Sequence, residues 1–119
     1  MPADANLTAR DLLERLQDPD ELVRLHAALC LGSLGEEARA AVPVLTDLLH
    51  GDNVMDRRAA AWALRGLGGV AEEAVPALLE ALEDDDEQVQ DLAEQALEAI
   101  QGVGEDDDED DAGPDRQAA

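Results

Sequence analysis

Apolar positions recur along the chain with the spacing of amphipathic α-helices. Leucines lie four residues apart at 12/16, 45/49 and 78/82, and Ala followed by Leu or Ile recurs at 27/31/34, 60/64/67 and 93/97/100. Both spacings place their side chains on one stripe of a helix. Short polar stretches at 18–20, 51–53 and 84–86 separate the two kinds of helix, which predicts turns that end one helix and cap the next.

The pattern repeats with a period of 33 residues. When residues 18–50 are aligned with residues 51–83, twelve positions are identical, and the same offset extends forward and backward to a third and a first unit. Such a period is typical of a solenoid, in which each repeat packs only on its neighbours. We therefore predict an all-α solenoid of three antiparallel helix hairpins over residues 6–102, with units at 6–35, 36–68 and 69–102.

Within each unit the helix limits can be predicted. The first helices are expected at 7–16, 38–49 and 71–82, and the second at 21–34, 54–67 and 87–100. Asn6 is a good N-cap for the opening helix. Pro43 and Pro76 lie near the beginnings of the next two first helices, where a missing N–H does least harm. Asp56 replaces a valine of the other units, so we expect the start of its helix to be shifted or frayed.

The segment 18–35 and the paired segments 41–49 and 74–82, both beginning Ala-Val-Pro, resemble HEAT-like repeats in the short form typical of phycobilisome-lyase-type proteins. The resemblance implies that a turn Asp and a second-helix Arg support packing between neighbouring repeats. Those positions carry Asp18 with Arg24, Asp84, and Arg57. Departures from the family pattern are Gly51 for a turn Asp, Gln90 for the third Arg and Arg10 for the first Pro.

The charge balance limits the classes of partner. Eight basic against 30 acidic residues give a formal net charge of -22, with one Trp and no Phe or Tyr. An acidic chain with a single aromatic side chain to stack on bases does not indicate a nucleic-acid-binding protein. The acidic segment 103–119 is expected to be disordered, and residues 1–5 are expected to form an N-terminal tail. The strongly acidic surface of the chain suggests a high-salt or GC-rich source.

No targeting or membrane segment is predicted. The first residues lack the features of a signal peptide, and charges interrupt every apolar run before it could span a bilayer. A single cysteine, Cys30, fits a reducing compartment. We expect a cytoplasmic protein.

The chain offers little for catalysis. It has one Ser, one Cys, two His and no Tyr, so a nucleophile with its base is nearly unavailable. His26 and His50 are far apart, and no acidic run has the order of a calcium loop. We expect a non-enzymatic protein with no catalytic residues, no metal and no cofactor.

One helix stripe departs from its expected polarity. The resemblance implies that second helices line a concave side, with positions 22/25/29, 55/58/62 and 88/91/95 facing solvent. In unit three these are Gln88, Asp91 and Gln95. In units one and two they are mostly apolar, and an exposed apolar patch usually marks an interaction site. The candidate protein-binding residues are Leu22, Leu25, Leu29, Met55, Arg58 and Trp62.

The sequence thus predicts an adaptor that binds an unidentified protein partner. Three alternatives stay open. In the first, the patch does not bind a partner, because Met55 turns inward and the leucines are shielded by residues 1–6 or merely scattered. In the second, the patch mediates self-association and gives a homodimer or a scaffold. In the third, which follows from the resemblance alone, the protein is an accessory subunit of a bilin-lyase-like enzyme.

Overall fold

A computed structural model describes residues 8–101, and these residues form helices without any strand. The six α-helices are α1 (Ala9–Arg15), α2 (Glu21–Leu31), α3 (Val42–Leu49), α4 (Val54–Leu67), α5 (Val75–Ala81) and α6 (Glu87–Gln101). Consecutive helices pair as the hairpins α1/α2, α3/α4 and α5/α6, with α4 packed between α2 and α6. The predicted all-α solenoid is confirmed. The predictions for both terminal tails and for Asn6 lie outside the described residues.

The helix starts follow the 33-residue period. First helices begin at Ala9, Val42 and Val75, and second helices at Glu21, Val54 and Glu87. Each second helix is preceded by a residue whose side-chain oxygen accepts a backbone N–H of the first turn, which satisfies an otherwise unpaired donor. These N-terminal acceptors are Asp20, Asn53 and Asp86.

The prediction that the start of α4 is shifted or frayed at Asp56 is wrong. The side-chain oxygen of Asn53 accepts the backbone N–H of Met55 at 2.8 Å and that of Asp56 at 3.2 Å. Because this cap satisfies two donors, α4 begins where the period places it.

The first helices are shorter than predicted. Residues Gly35–Ala41 and Gly68–Ala74 form 3₁₀ segments, so α3 and α5 begin at Val42 and Val75. Pro43 and Pro76 occupy the first turn of these helices, where a ring without N–H removes no helical bond. Gly35 and Gly68 enter the 3₁₀ segments at φ of 63° and 57°, a region that favours glycine.

The opening helix also begins later than predicted. Its N-cap is Thr8, whose hydroxyl accepts the backbone N–H of Asp11 while the Asp11 carboxylate accepts the backbone N–H of Thr8. This reciprocal capping box fixes the start of α1 at Ala9.

Small side chains let the second helices approach closely. A Cβ on Gly32 of the α2 terminus would lie 3.1 Å from the Cα of Ala63 in α4. The alanines shared by all three units, Ala27, Ala60 and Ala93, are fully buried. Alanine and glycine therefore provide the close packing that larger side chains provide in other cores.

Unit three forms one end of the described stack. Ala28 and Ala61 are fully buried, whereas their equivalent Glu94 is exposed. Leu49 is likewise buried, whereas its equivalent Leu82 is 38% exposed. The difference arises because a following hairpin covers these positions in units one and two, and none covers them among the described residues of unit three.

The contact between α2 and α4 predicts an unusual response to Gly66→Ala. This change in a helix interior ordinarily stabilises by about 1 kcal/mol. Here the new Cβ would lie 2.5 Å from the carbonyl oxygen of Gly32, so we expect a net loss of about 1–3 kcal/mol from overpacking. Urea unfolding followed by circular dichroism measures the change.

Gly69→Ala serves as the control, since a Cβ there meets no atom within 4 Å. An increase in stability for Gly66→Ala would contradict the close approach of the two helices.

Candidate protein-interaction face

Arginines at equivalent positions link neighbouring units: Arg24 links unit one to unit two, and Arg57 links unit two to unit three. Arg57 donates from Nη1 to the carbonyl oxygen of Gly51 at 2.9 Å and from Nε to the Asp84 carboxylate at 3.0 Å. Gly51 belongs to the turn of the same hairpin, whereas Asp84 belongs to the turn of the next. The guanidinium therefore ties unit two to unit three with charge-assisted hydrogen bonds.

Arg24 makes the corresponding link between units one and two. It donates from Nη1 to the carbonyl oxygen of Asp18 at 2.8 Å and from Nε to the Asp56 carboxylate at 3.1 Å. The first bond matches that of Arg57 by the period, but the carboxylate comes from α4 rather than from a turn. Its hydrogen bond to Asp56 raises the pKa of Arg24 above its ordinary value.

Two departures from the repeat pattern therefore compensate for each other. Gly51 lacks the carboxylate that Asp84 supplies at the equivalent turn, and Asp56 supplies one in its place. In the sequence the two departures look unrelated, and Asp56 alone predicted a shifted or frayed helix start. The sequence does contain a signal that relates the two departures: the unit that lacks the turn carboxylate at Gly51 has an additional carboxylate at Asp56.

Unit three keeps only half of the link. Gln90 stands at the position of the two arginines, and its side-chain N–H donates to the carbonyl oxygen of Asp84. The bond to the turn of its own hairpin is retained, but the uncharged amide of Gln90 provides no cationic group for a further link. This substitution suits the end of the described stack.

Asp18 plays a different part from the one that the resemblance implied. Its carboxylate accepts the backbone N–H of Asp20 at 2.8 Å, and only its carbonyl oxygen accepts from Arg24. No arginine among residues 8–101 forms an ion pair with this carboxylate, whereas Arg57 pairs with Asp84.

Arg58 joins the same framework. Its Nε and Nη2 donate to the two Asp86 carboxylate oxygens at 2.9 and 2.7 Å. Asp86 also caps α6 by accepting the backbone N–H of Val89. The sequence pattern predicts that Arg58 binds a partner, and in the structure its charge is paired with Asp86, 28 residues away. The pairing lowers the pKa of Asp86 to about 2, chiefly through the hydrogen bond from Arg58.

The apolar candidates form a partly exposed surface on α2 and α4. Leu22 is 71% exposed and Leu29 is 37% exposed. Leu25, Met55 and Trp62 are half-buried, and Leu25 packs against the core. We call the surface of the positions 22/25/29, 55/58/62 and 88/91/95 the second-helix face.

Trp62 forms the floor of a cleft on this face. The cleft has a volume of about 330 Å³ and lies between α4 and α6. The guanidinium of Arg65 lies 5.8 Å from the centroid of the Trp62 ring and donates to the side-chain oxygen of Gln95. The residues that line the cleft are Trp62, Arg65, Gln88, Asp91, Leu92 and Gln95.

Other reactive side chains lie outside the positions that define this face. The Cys30 Sγ is 3.6 Å from Nε2 of His26, one turn away on α2, and Nε2 of His50 is 3.9 Å from a carboxylate oxygen of Glu80. Within the described part of the chain, no three His, Cys, Asp or Glu side chains are grouped as a metal ion would require. No helix of residues 8–101 is both long and apolar enough to cross a membrane.

The comparison with known families agrees with this architecture. The family of HEAT repeats matches residues 9–98, and the chain belongs to it. No curated protein matches the chain significantly. HEAT repeats generally mediate protein–protein interaction, so the family directs attention to the exposed surfaces of the stack.

The compensation at Asp56 predicts a rescue. Asp56→Val restores the residue of the other units but leaves Arg24 without its carboxylate, so we expect the melting temperature to fall by about 5–10 °C. Adding Gly51→Asp supplies a turn carboxylate like that of Asp84 and should recover at least half of the loss. Thermal unfolding of both variants by circular dichroism measures this.

As a control, Gly51→Asp alone should leave the melting temperature unchanged or lower it slightly, because Arg24 is already paired. Equal melting temperatures for Asp56→Val and the double variant would contradict the compensation.

The Arg58–Asp86 pair predicts a pH dependence. The pKa of Asp86 is depressed in the fold to about 2, so its contribution to stability is present above about pH 4 and is lost as the pH falls toward 2. In an NMR titration of the carboxyl carbons, Arg58→Gln should raise the pKa of Asp86 toward the ordinary value of about 3.9. A pKa that stays low in Arg58→Gln would show that the cap of α6, rather than Arg58, is the main cause.

Proposed function

We propose that this protein is a non-enzymatic adaptor that binds another protein through the second-helix face. The observation that carries the proposal is the exposure of Leu22 and Leu29 on α2 beside Trp62 on α4. These side chains lie on the helices that pack side by side through the middle of the stack.

The energetic argument concerns apolar surface left in water. Burying a leucine side chain is worth roughly 1.5–3 kcal/mol relative to leaving it exposed. A partner that covers Leu22 and Leu29 would recover that free energy. Trp62 adds a large, half-buried ring, the residue type most enriched at binding hot spots.

The electrostatic arrangement directs binding to the apolar surface. Arg24, Arg57 and Arg58 form ion pairs with carboxylates of the same chain. These residues hold the helices in register and are positioning residues for the face. The contacts with a partner therefore fall to the leucines, Met55 and Trp62.

The experiment compares two exposed leucines on different faces. Leu22→Asp changes the second-helix face, and Leu79→Asp changes α5, where the leucine is 52% exposed. Partners are captured by crosslinking in lysate of the source organism, identified by mass spectrometry and purified, and their dissociation constants are measured by calorimetry. We expect Leu22→Asp to weaken binding about tenfold or more and Leu79→Asp to change it less than twofold.

Neither change should lower the melting temperature much, because both leucines are largely exposed. Sedimentation velocity of the same variants separates the alternative of self-association, in which Leu22→Asp would dissociate a homodimer. Equal loss of partner binding in both variants, or in neither, would refute the second-helix face as the binding surface.

A further inference from the structure

We infer that the partner presents a segment that is apolar at one end and rich in arginine or lysine at the other, laid across the second helices from α2 to α6. This inference rests on the proposed function and specifies the chemistry of the partner. The observations that carry it are an apolar stripe on α2 at one side of the second-helix face and an acidic stripe on α6 at the other side. The acidic stripe has no ion-pair partner among residues 8–101. It meets the face at Asp91 and continues around α6 to Glu94 and Glu98.

The acidic stripe lies on α6. Its four members are spaced three or four residues apart, which places them on one side of the helix. All four are exposed, and no arginine of residues 8–101 lies within ion-pair distance of any of them. The stripe consists of Glu87, Asp91, Glu94 and Glu98.

Asp91 connects this stripe to the cleft over Trp62. Both residues line the cleft, together with Leu92 and the amides of Gln88 and Gln95. The ring and Leu92 offer apolar surface for the methylene stem of an arginine or lysine, while Asp91 offers a carboxylate for its charged end. An acidic side chain from a partner would instead meet a like charge at Asp91, which opposes its binding.

The opposite side of the face has the reverse character. On α2 the equivalents of Gln88, Asp91 and Gln95 are three leucines, Leu22, Leu25 and Leu29. Neighbouring packed helices lie roughly 8–10 Å apart, so α2 and α6 are separated by about 20 Å. A helix of about 13 residues covers that distance at ~1.5 Å per residue. The face therefore fits one amphipathic helix with an apolar and a basic half.

The test uses synthetic peptides of 16 residues without aromatic side chains. Two peptides carry a leucine-rich and an arginine-rich half in either chain order. Each has a scrambled counterpart and a counterpart with glutamate for arginine. Trp62 is the only aromatic residue of the chain, so its fluorescence reports occupancy of the cleft directly. We expect one of the two designed peptides to shift its emission to shorter wavelength and to bind at least tenfold more tightly than its counterparts.

Protein variants of matched charge separate local recognition from general attraction to an acidic protein. Asp91→Asn with Glu94→Gln removes two charges from the α6 stripe, and Glu72→Gln with Glu73→Gln removes two exposed charges from the second 3₁₀ segment. We expect the α6 pair to weaken the designed peptide about tenfold and the control pair less than twofold.

Equal binding of the scrambled peptide, or equal effects of the two charge pairs, overturns the inference. Tighter binding of the glutamate peptide that is still lost in Leu22→Asp also overturns it but leaves the proposed function intact. Failure of the proposed function is recognised differently, as partner binding that does not respond to Leu22→Asp.

Discussion

A single side chain per repeat, at positions 24, 57 and 90, holds this solenoid in register. In each unit it donates to the carbonyl oxygen of the turn that precedes its own helix, at residues 18, 51 and 84. Where another hairpin follows, the side chain is an arginine whose second N–H reaches a carboxylate of that hairpin. Where no described hairpin follows, it is a glutamine. One position thus closes each hairpin, and where it is an arginine it also bonds to the next hairpin.

The same links allow a core with few large side chains to be specific. Alanine and glycine contribute little apolar area, but they let α2 and α4 approach closely at Gly32 and Ala63. Close backbones alone leave register poorly determined, whereas directional bonds from Arg24 and Arg57 set it. A fixed register places Leu22, Trp62 and Asp91 on one face, so the binding surface depends on the repeat links.

The sequence was most informative where the period and local chemistry agree. Second-helix starts were predictable because helical patterns and cap residues both recur every 33 positions. The 3₁₀ segments were missed because the apolar spacing of the first helix continues back through residues 38–41. Proline is accommodated in the first turn of an α-helix, so Pro43 places the start of α3 at Val42. The Arg24–Asp56 pair was missed because the 33-residue period relates only equivalent positions. The acceptor of Arg24 is Asp56, which is not the equivalent of Asp84, the acceptor of Arg57. The pairing of Arg58 was not predicted because its carboxylate partner, Asp86, lies in another unit.

The most direct test of the repeat link is a double-mutant cycle on Arg57 and Asp84. Free energies of unfolding in urea are measured for the parent, Arg57→Gln, Asp84→Asn and the double variant. A direct bond across units predicts a coupling energy of about 1–3 kcal/mol, with the double variant less destabilised than the sum of the single changes. Additive effects, with no coupling, would show that the arginine does not join neighbouring repeats.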